Sequence, residues 1–397
     1  MKILIPSLII LLFSIHVFGQ QDPVREATYH FTLRNGIFTG NGADTLKKHV
    51  GSSQFFLIGE EHDMKELQEF TTSFIPFLKR LGYNNLALEI GPIAATKLRS
   101  LYDGKNGLGG FNSKDFKYIN GAPFGFFGGR EEERFSDCAF ENGFQIWGID
   151  FENYNASLFL IDELYRQSKK GPELDKMYAT CRQVIIDAYH QDRKDKRHQL
   201  ASTLLRSKAM EAFFKKAARS PGRRELFGQQ ILSWKIYEQQ SKKNWQPRVD
   251  NMKANFASYY RKAAANSPQP KVFIKLGAVH TARGTSSSGF QELGNMVYEL
   301  ANLNRTNAFS VISFARYRID AKGETTDLLE EEDAELLRYT TKDSWSLVDL
   351  KRLGEDGRAG RIKLSQLMRS YMQKYDMMLI PPATKYMEPN FLPQKEK

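Results

Sequence analysis

The sequence predicts an α/β fold: a mostly parallel central sheet flanked by helices, with a largely helical insertion or cap. Three observations carry this. Short apolar runs ending in glycine or an acid alternate with segments of helical periodicity, the pattern of parallel strands joined by crossover helices. About 100 residues in the middle of the chain hold no convincing strand. The length, 397 residues, is enough for a buried core and a cleft.

The chain opens with Met1 and Lys2, followed by an apolar run from Ile3 to Phe18 and then Gly19. This reads as a secretory signal over 1–19, cleaved near Gly19–Gln20. The run is short for a membrane span. No later window holds some 18 uninterrupted apolar residues, so no transmembrane segment is expected in the mature chain. Its expected place is the periplasm or the exterior. Two cysteines exclude a disulfide framework, and whether Cys138 and Cys181 pair is left open.

The first part of the α/β core is expected over 20–155. Residues 20–50 read as irregular apart from a short helix at 43–50. "QFFLIG" (Gln54–Gly59) is a buried strand. After Met64, the residues Leu67, Phe70, Phe74, Phe77, Leu78 and Leu81 recur at helical spacing. "NNLALEIG" (Asn84–Gly91) is the second strand, and a helix follows around Ile93–Tyr102. Residues 103–130, with "DGKNGLGGFNSKD" and "GAPFGFFGGR", read as a long glycine-rich loop. It is either an active-site flap or a plain insertion. No phosphate-binding fingerprint occurs in it. "FQIWGIDFE" (Phe144–Glu152) is the third strand. The helical insertion or cap is expected over 156–263 and the second part of the core over 264–383. Strands there are "KVFIKLG", "FSVISF" and "YDMMLI". A flexible tail is expected over 384–397.

The basic excess is local. Lys and Arg number 57 against 46 Asp and Glu, a net charge of +11. Residues 161–260 alone hold 21 basic and 11 acidic side chains. This is either a solvated helix face or a surface favouring an anionic substrate, the cell envelope or a partner. No basic–aromatic platform is present, so nucleic acid is not an expected partner. A small-molecule or peptide substrate is.

Polar chemistry collects where strands end. Ligands of parallel sheets sit beyond the carboxyl ends of the strands. The first strand ends Gly59-Glu60-Glu61-His62, the second carries Glu89, and the third ends at Asp150 with Glu152 beyond. The strand after the insertion ends Gly277-Ala278-Val279-His280, followed by Arg283. Burying such carboxylates requires a partner charge, a metal or a hydrogen-bond network. Two chemistries fit. A divalent ion (Zn, Mn, Co or Fe) held by His62, Glu89, His280 and Glu60 would polarise a carbonyl and activate water. Alternatively, His62 acts directly as general base, oriented by Glu60 or Glu89, with His280 or Arg283 stabilising the oxyanion. No serine elbow follows a strand, and Ser288 is a weak nucleophile candidate.

These residues resemble the erythromycin esterase / ChaN-like / Tiki superfamily. The paired G-x-x-H motifs are "GEEH" (Gly59–His62) and "GAVH" (Gly277–His280), with Glu89 of "LALEIG" between them. "NWQPRVDNMKANF" resembles a segment of the esterase branch, with Arg248, Asp250 and Met252 as counterparts. "KLGAVHTARG" followed by "GFQELG" is similar to that branch's second histidine segment. The resemblance implies a secreted or periplasmic hydrolase acting on an ester or amide bond, without implying a macrolide. It points first to Glu60, His62, Glu89, Arg248 and His280, and then to Glu61, Asp150 and Arg283. "GEEHD" is closer to the ChaN-like branch, which is associated with haem. That motivates an alternative without turnover: a haem- or metal-binding envelope protein, with Phe124–Phe127 or Tyr154 against a porphyrin.

Overall fold

The computed structural model describes residues 22–195 and 199–391. The signal segment expected over 1–19 and its cleavage point lie outside them, as do residues 392–397. The described strands are β1 (Thr28–Arg34), β2 (Ile37–Thr39), β3 (Phe55–Glu60), β4 (Tyr83–Leu88), β5 (Gln145–Gly148), β6 (Lys271–Gly277), β7 (Ala308–Ser313), β8 (Tyr317–Ile319), β9 (Thr325–Asp327), β10 (Trp345–Asp349) and β11 (Met377–Ile380). Nine form one sheet in the order β2-β1-β10-β11-β7-β3-β6-β4-β5. From β11 to β5 every pairing is parallel. The pairings of β10 with β11, β1 with β10 and β2 with β1 are antiparallel. β8 and β9 make a separate hairpin.

The parallel strands are apolar on both faces, as strands sandwiched between helices must be. In β3, Phe56 and Ile58 join a core with Phe70 and Phe74 of the Lys65–Arg80 helix. Phe55 and Leu57 point the other way, toward Met252 and Phe256 of the Gln246–Ala264 helix. Alternating side-chain direction explains this division. Between β5 and β6 the described residues contain helices and no strand. They are Ser157–Arg166, Pro172–Lys194, Leu200–Leu205, Lys208–Ala217, Pro221–Ser241 and Gln246–Ala264. Their Phe213 and Trp234 belong to the same apolar cluster as Phe56 and Phe273 of the sheet. The helical region therefore packs as an extension of the core.

Three expectations need correction. Residues 20–50 contain β1 and β2 as well as the helix, which spans Asn41–Gly51. These strands lie at the sheet margin, where exposed polar residues interrupt the apolar pattern. Residues 103–130 are not one loop. Leu108–Ile119 is a helix, with Leu108 and Ile119 buried and Phe111 packed beside Phe124 and Phe159. Its two early glycines disguise it. The irregular stretches are 104–107 and 120–129. Finally, residues 384–391 are tied down rather than loose. Tyr386 bridges to Met64 and Pro389 to Gly129, and Asn390 Oδ1 accepts from Asn112 Nδ2 while its Nδ2 donates to Glu133. Cys138 and Cys181 are both free thiols.

Candidate active site

Parallel pairing puts the carboxyl ends of β3, β6, β4 and β5 side by side. Glu60 is the last residue of β3, Glu89 follows β4, Asp150 lies two past β5, and the turn Ala278–Thr281 leaves β6. The glycines of the two G-x-x-H motifs have packing reasons. A Cβ on Gly59 would stand 2.1 Å from Thr281 Oγ1 and 2.9 Å from Ala278 Cα. One on Gly277 would stand 2.9 Å from His62 Nε2. Each motif thus closes onto the other only where a side chain is missing.

His62 donates from Nδ1 to Glu60 Oε1 at 3.1 Å. Lys275 Nζ reaches both Glu60 oxygens, at 2.9 and 2.8 Å, and Gln68 donates to Oε2 at 3.1 Å. Burial pushes the Glu60 carboxyl up, but Lys275 and His62 outweigh it and hold it below its ordinary value. Burial likewise disfavours the charged form of His62, yet Glu60 and Glu89 raise it above the ordinary imidazole value. The second histidine repeats the arrangement. His280 Nδ1 donates to Glu292 Oε2 at 3.0 Å, and Ser288 Oγ donates to the other oxygen of Glu292 at 2.8 Å.

Glu89 stands between the two. His280 Nε2 lies 3.4 Å from its Oε1 and His62 Nε2 lies 4.0 Å from its Oε2. The Gly277 N–H donates to Oε2 at 2.6 Å, and Arg248 Nη2 donates to Oε1 at 2.6 Å. Burial pushes the Glu89 carboxyl up, but His280, Arg248 and His62 together hold it far below the usual carboxylate range. Glu89 and Glu292 overcome the burial of His280 and the opposing charge of Arg248 and bring it up to about 10. Arg248 also donates from Nη2 to Asp150 Oδ2 at 2.6 Å. Burial raises Asp150 nonetheless, and the neighbouring Glu89 charge adds to the rise.

Phe126 stacks on the His62 ring with centroids 3.8 Å apart. It belongs to the 120–129 loop and has a φ of 60°. Two cavities meet at that loop, both lined by Phe124, Phe126 and Asn153. One, of about 260 Å³, also presents Glu89, Asp150 and Arg248. The other, of about 460 Å³, is walled by Tyr386, Met387 and Glu132.

Glu60, His62, Glu89, Asp150, Arg248 and His280 therefore come together. Others do not. Glu61 turns away to accept from Arg318 Nη2 at 2.5 Å and the Ala315 N–H at 2.9 Å. Arg283, expected beside the oxyanion, instead pairs with Asp376 at 3.0 Å and lies over the Tyr298 ring. The Thr281–Arg283 backbone carries it past the rim: its N–H donates to Lys374 O. Glu152 accepts from Ile93 and Ala94 N–H, holding the start of the Pro92–Asp103 helix, and burial pushes it up to about 7. Asp250 accepts from Gln246 on the surface, and Met252 is core. Phe124 and Phe127 are buried, and Tyr154 packs on Tyr189 and Tyr237.

Sequence reasoning missed Lys275, Glu292 and Glu132. Lys275 was detectable as a cation inside the otherwise apolar run 272–277. Glu292 had no signal of its own within "GFQELG". Glu132 is buried near Lys275, and burial raises its carboxyl well above the ordinary value. Among the described residues, no three His, Cys, Asp or Glu side chains are grouped to hold a metal ion. The central carboxylates already face cations of the chain: Glu60 meets Lys275, while Glu89 and Asp150 meet Arg248. Such a donor set does not suit a divalent ion, which would lie against two fixed positive charges.

No family model and no curated protein matches the sequence. Solved structures do match its fold. An erythromycin esterase, EreC, in a histidine-to-asparagine mutant and in its open conformation, is 13% identical with a TM-score of 0.55, over 91% of this chain and 98% of that one. A succinoglycan biosynthesis protein is 13% identical with a TM-score of 0.53, over 93% and 98%. A Bacillus cereus protein is 13% identical with a TM-score of 0.50, over 94% and 99%. Identity this low shows a shared fold and no more. Among the described residues, no helix is long and apolar enough to cross a membrane.

Proposed function

We propose that this protein is a hydrolase of the erythromycin-esterase-like group, cleaving an ester or amide bond by direct histidine–carboxylate chemistry. One observation carries the reading. Two histidines are each oriented by their own buried carboxylate, and both aim Nε2 at the same ionised Glu89. A lone structural histidine needs no such duplication.

The roles follow from charge. His280, held up at about 10, is an imidazolium at neutral pH and supplies positive charge for a developing oxyanion. Glu89 is too acidic to take a proton from water effectively. His62 is left as the base. Its Nε2 accepts the water proton, and Glu60, kept ionised by Lys275, stabilises the imidazolium that forms. The hydroxide oxygen adds to the carbonyl carbon. His62 then returns the proton to the departing alkoxide or amine, so charge balances over the cycle.

The substrate in this reading is a small molecule or peptide entering along the loop that carries Phe126. The apolar start from Ile3 to Phe18 supports action outside the cytoplasm, and N-terminal sequencing of protein recovered from the periplasm checks that. The activity is tested with a panel of aryl and alkyl esters and peptide amides. Turnover by the wild type, lost in both His62→Ala and His280→Ala, supports the mechanism. Full activity in both variants overturns it.

A further inference from the structure

Arg283 leads to a second site. We propose that the cavity it lines, whose walls include none of the histidine cluster, binds a small amphiphilic anion: a phosphate or carboxylate head carrying a hydrocarbon group. The cavity has a volume of about 580 Å³, within the range of small-molecule sites. Four cationic side chains line it: Arg283, Lys351, Arg358 and Arg369. The one carboxylate in its wall is Asp376, and that is already engaged. It pairs with Arg283, accepts from the Ser310 N–H at 2.8 Å and accepts from the Tyr298 hydroxyl.

Two of the four cations are held by the fold, Arg283 by Asp376 and Arg369 by the Leu364 carbonyl; the other two are not. Among the described residues, Lys351 and Arg358 have no carboxylate partner, and the buried Nε of Arg283 has no hydrogen-bond acceptor. Lys351 is the second residue of the Leu350–Arg358 helix, and Arg369 is the fourth of the Gln366–Lys374 helix. Cations near a helix start oppose the macrodipole, so neither stabilises its own helix. Gathering like charges in one concave wall raises the local potential and concentrates anions there. Guanidinium groups suit the flat, two-point recognition of carboxylate and phosphate. Leu350, Leu364 and Met372 supply an apolar wall beside them, which calls for a hydrocarbon portion on the ligand.

Calorimetric titration of the intact protein with hexyl phosphate, with inorganic phosphate and with hexanol tests this. Hexyl phosphate should bind at least about tenfold more tightly than either, because each probe lacks one half of the recognition. Binding should weaken as salt rises and fall about tenfold or more in Lys351→Glu/Arg358→Glu, both exposed positions. His62→Ala should leave it unchanged, which separates this cavity from the histidine site. Single Lys351→Gln and Arg358→Gln variants, each weaker than wild type, repeat the test with less charge disturbance. Equal affinity in wild type and the double variant overturns the proposal. So does inorganic phosphate binding as tightly as hexyl phosphate, and so does loss of binding in His62→Ala.

Discussion

His280 Nε2 lies 3.4 Å from Glu89 Oε1, inside a wall that also gives Glu89 an arginine and a backbone N–H. The carboxylate is thus charged before any ligand arrives, and the histidine is charged because of it. Preorganised charge of this kind costs no reorganisation during reaction. It also means that the two residues stand or fall together.

The catalytic reading orders three variants. On an ester identified as substrate, His62→Ala should reduce kcat/KM by about 10²-fold or more, the usual contribution of a general base. Glu60→Gln should retain His62 but lose the charge that stabilises its protonated form, so its loss should be smaller and fall mainly on kcat. Arg283→Gln should leave turnover intact, because Arg283 pairs with Asp376 and not with the cluster. Steady-state kinetics of the three proteins give the ordering, and an Arg283→Gln defect equal to His62→Ala would contradict it.

Much of this arrangement is legible in the sequence for a physical reason. β3, β6 and β7 are buried on both faces, so they stand out as mostly apolar runs, and the charges at the tips of β3 and β6 are conspicuous. Parallel topology then brings those tips together without further information. β1 and β10 are harder to see because antiparallel neighbours at the sheet margin tolerate Thr28, His30 and Ser346 among the apolar residues. Arg283 was misplaced because closeness in sequence to His280 says nothing about direction once the chain turns at Ala278–Thr281. Glu61 fails for the period-two reason: its neighbour Glu60 faces the site, so it faces Arg318. Lys275 and Glu292 act through partners more than 200 residues away or across a loop, a relation that spacing does not encode.

Arg248 joins two buried carboxylates. Arg248→Met should leave buried Asp150 without its cation, while Glu89 keeps the two histidines. Removing one member of a buried ionic group costs about 3–5 kcal/mol. Arg248→Met/Asp150→Asn should recover part of that, because the stranded charge is gone. Urea unfolding of the two variants measures the difference, and equal stabilities would mean that Asp150 does not depend on Arg248.

Phe126 covers His62 from a backbone conformation that favours glycine. A left-handed φ costs an L-residue roughly 1–2 kcal/mol, while a stacked aromatic contact contributes about 0.5–1.5 kcal/mol. In Phe126→Gly these two changes oppose each other, so the unfolding midpoint should move little. Access to His62 should change far more. Diethyl pyrocarbonate should label His62 faster in Phe126→Gly than in wild type, read by peptide mass spectrometry. Equal labelling rates would show that Phe126 does not shield the ring.

The charge on His280 makes stability depend on pH with a definite sign. Its folded value, about 10, lies above the unfolded value of about 6.5. A raised value means the folded state binds the proton more tightly. The stabilisation is therefore complete below pH of about 6.5 and disappears as pH rises toward about 10. Glu89 supplies much of the interaction, so the rise of His280 and the fall of Glu89 are one and the same contribution. At about 1.4 kcal/mol per unit, discounted for burial that is shared with Glu89 and Glu292, the loss over that window is on the order of 2–4 kcal/mol. Other groups also titrate near pH 10, so the comparison with His280→Gln isolates the term. Wild type should lose stability more steeply than His280→Gln between pH 7 and pH 10, and their urea midpoints should converge at the alkaline end. Parallel curves would mean that His280 is neutral in the folded protein, and the oxyanion role assigned to it would fail with that result.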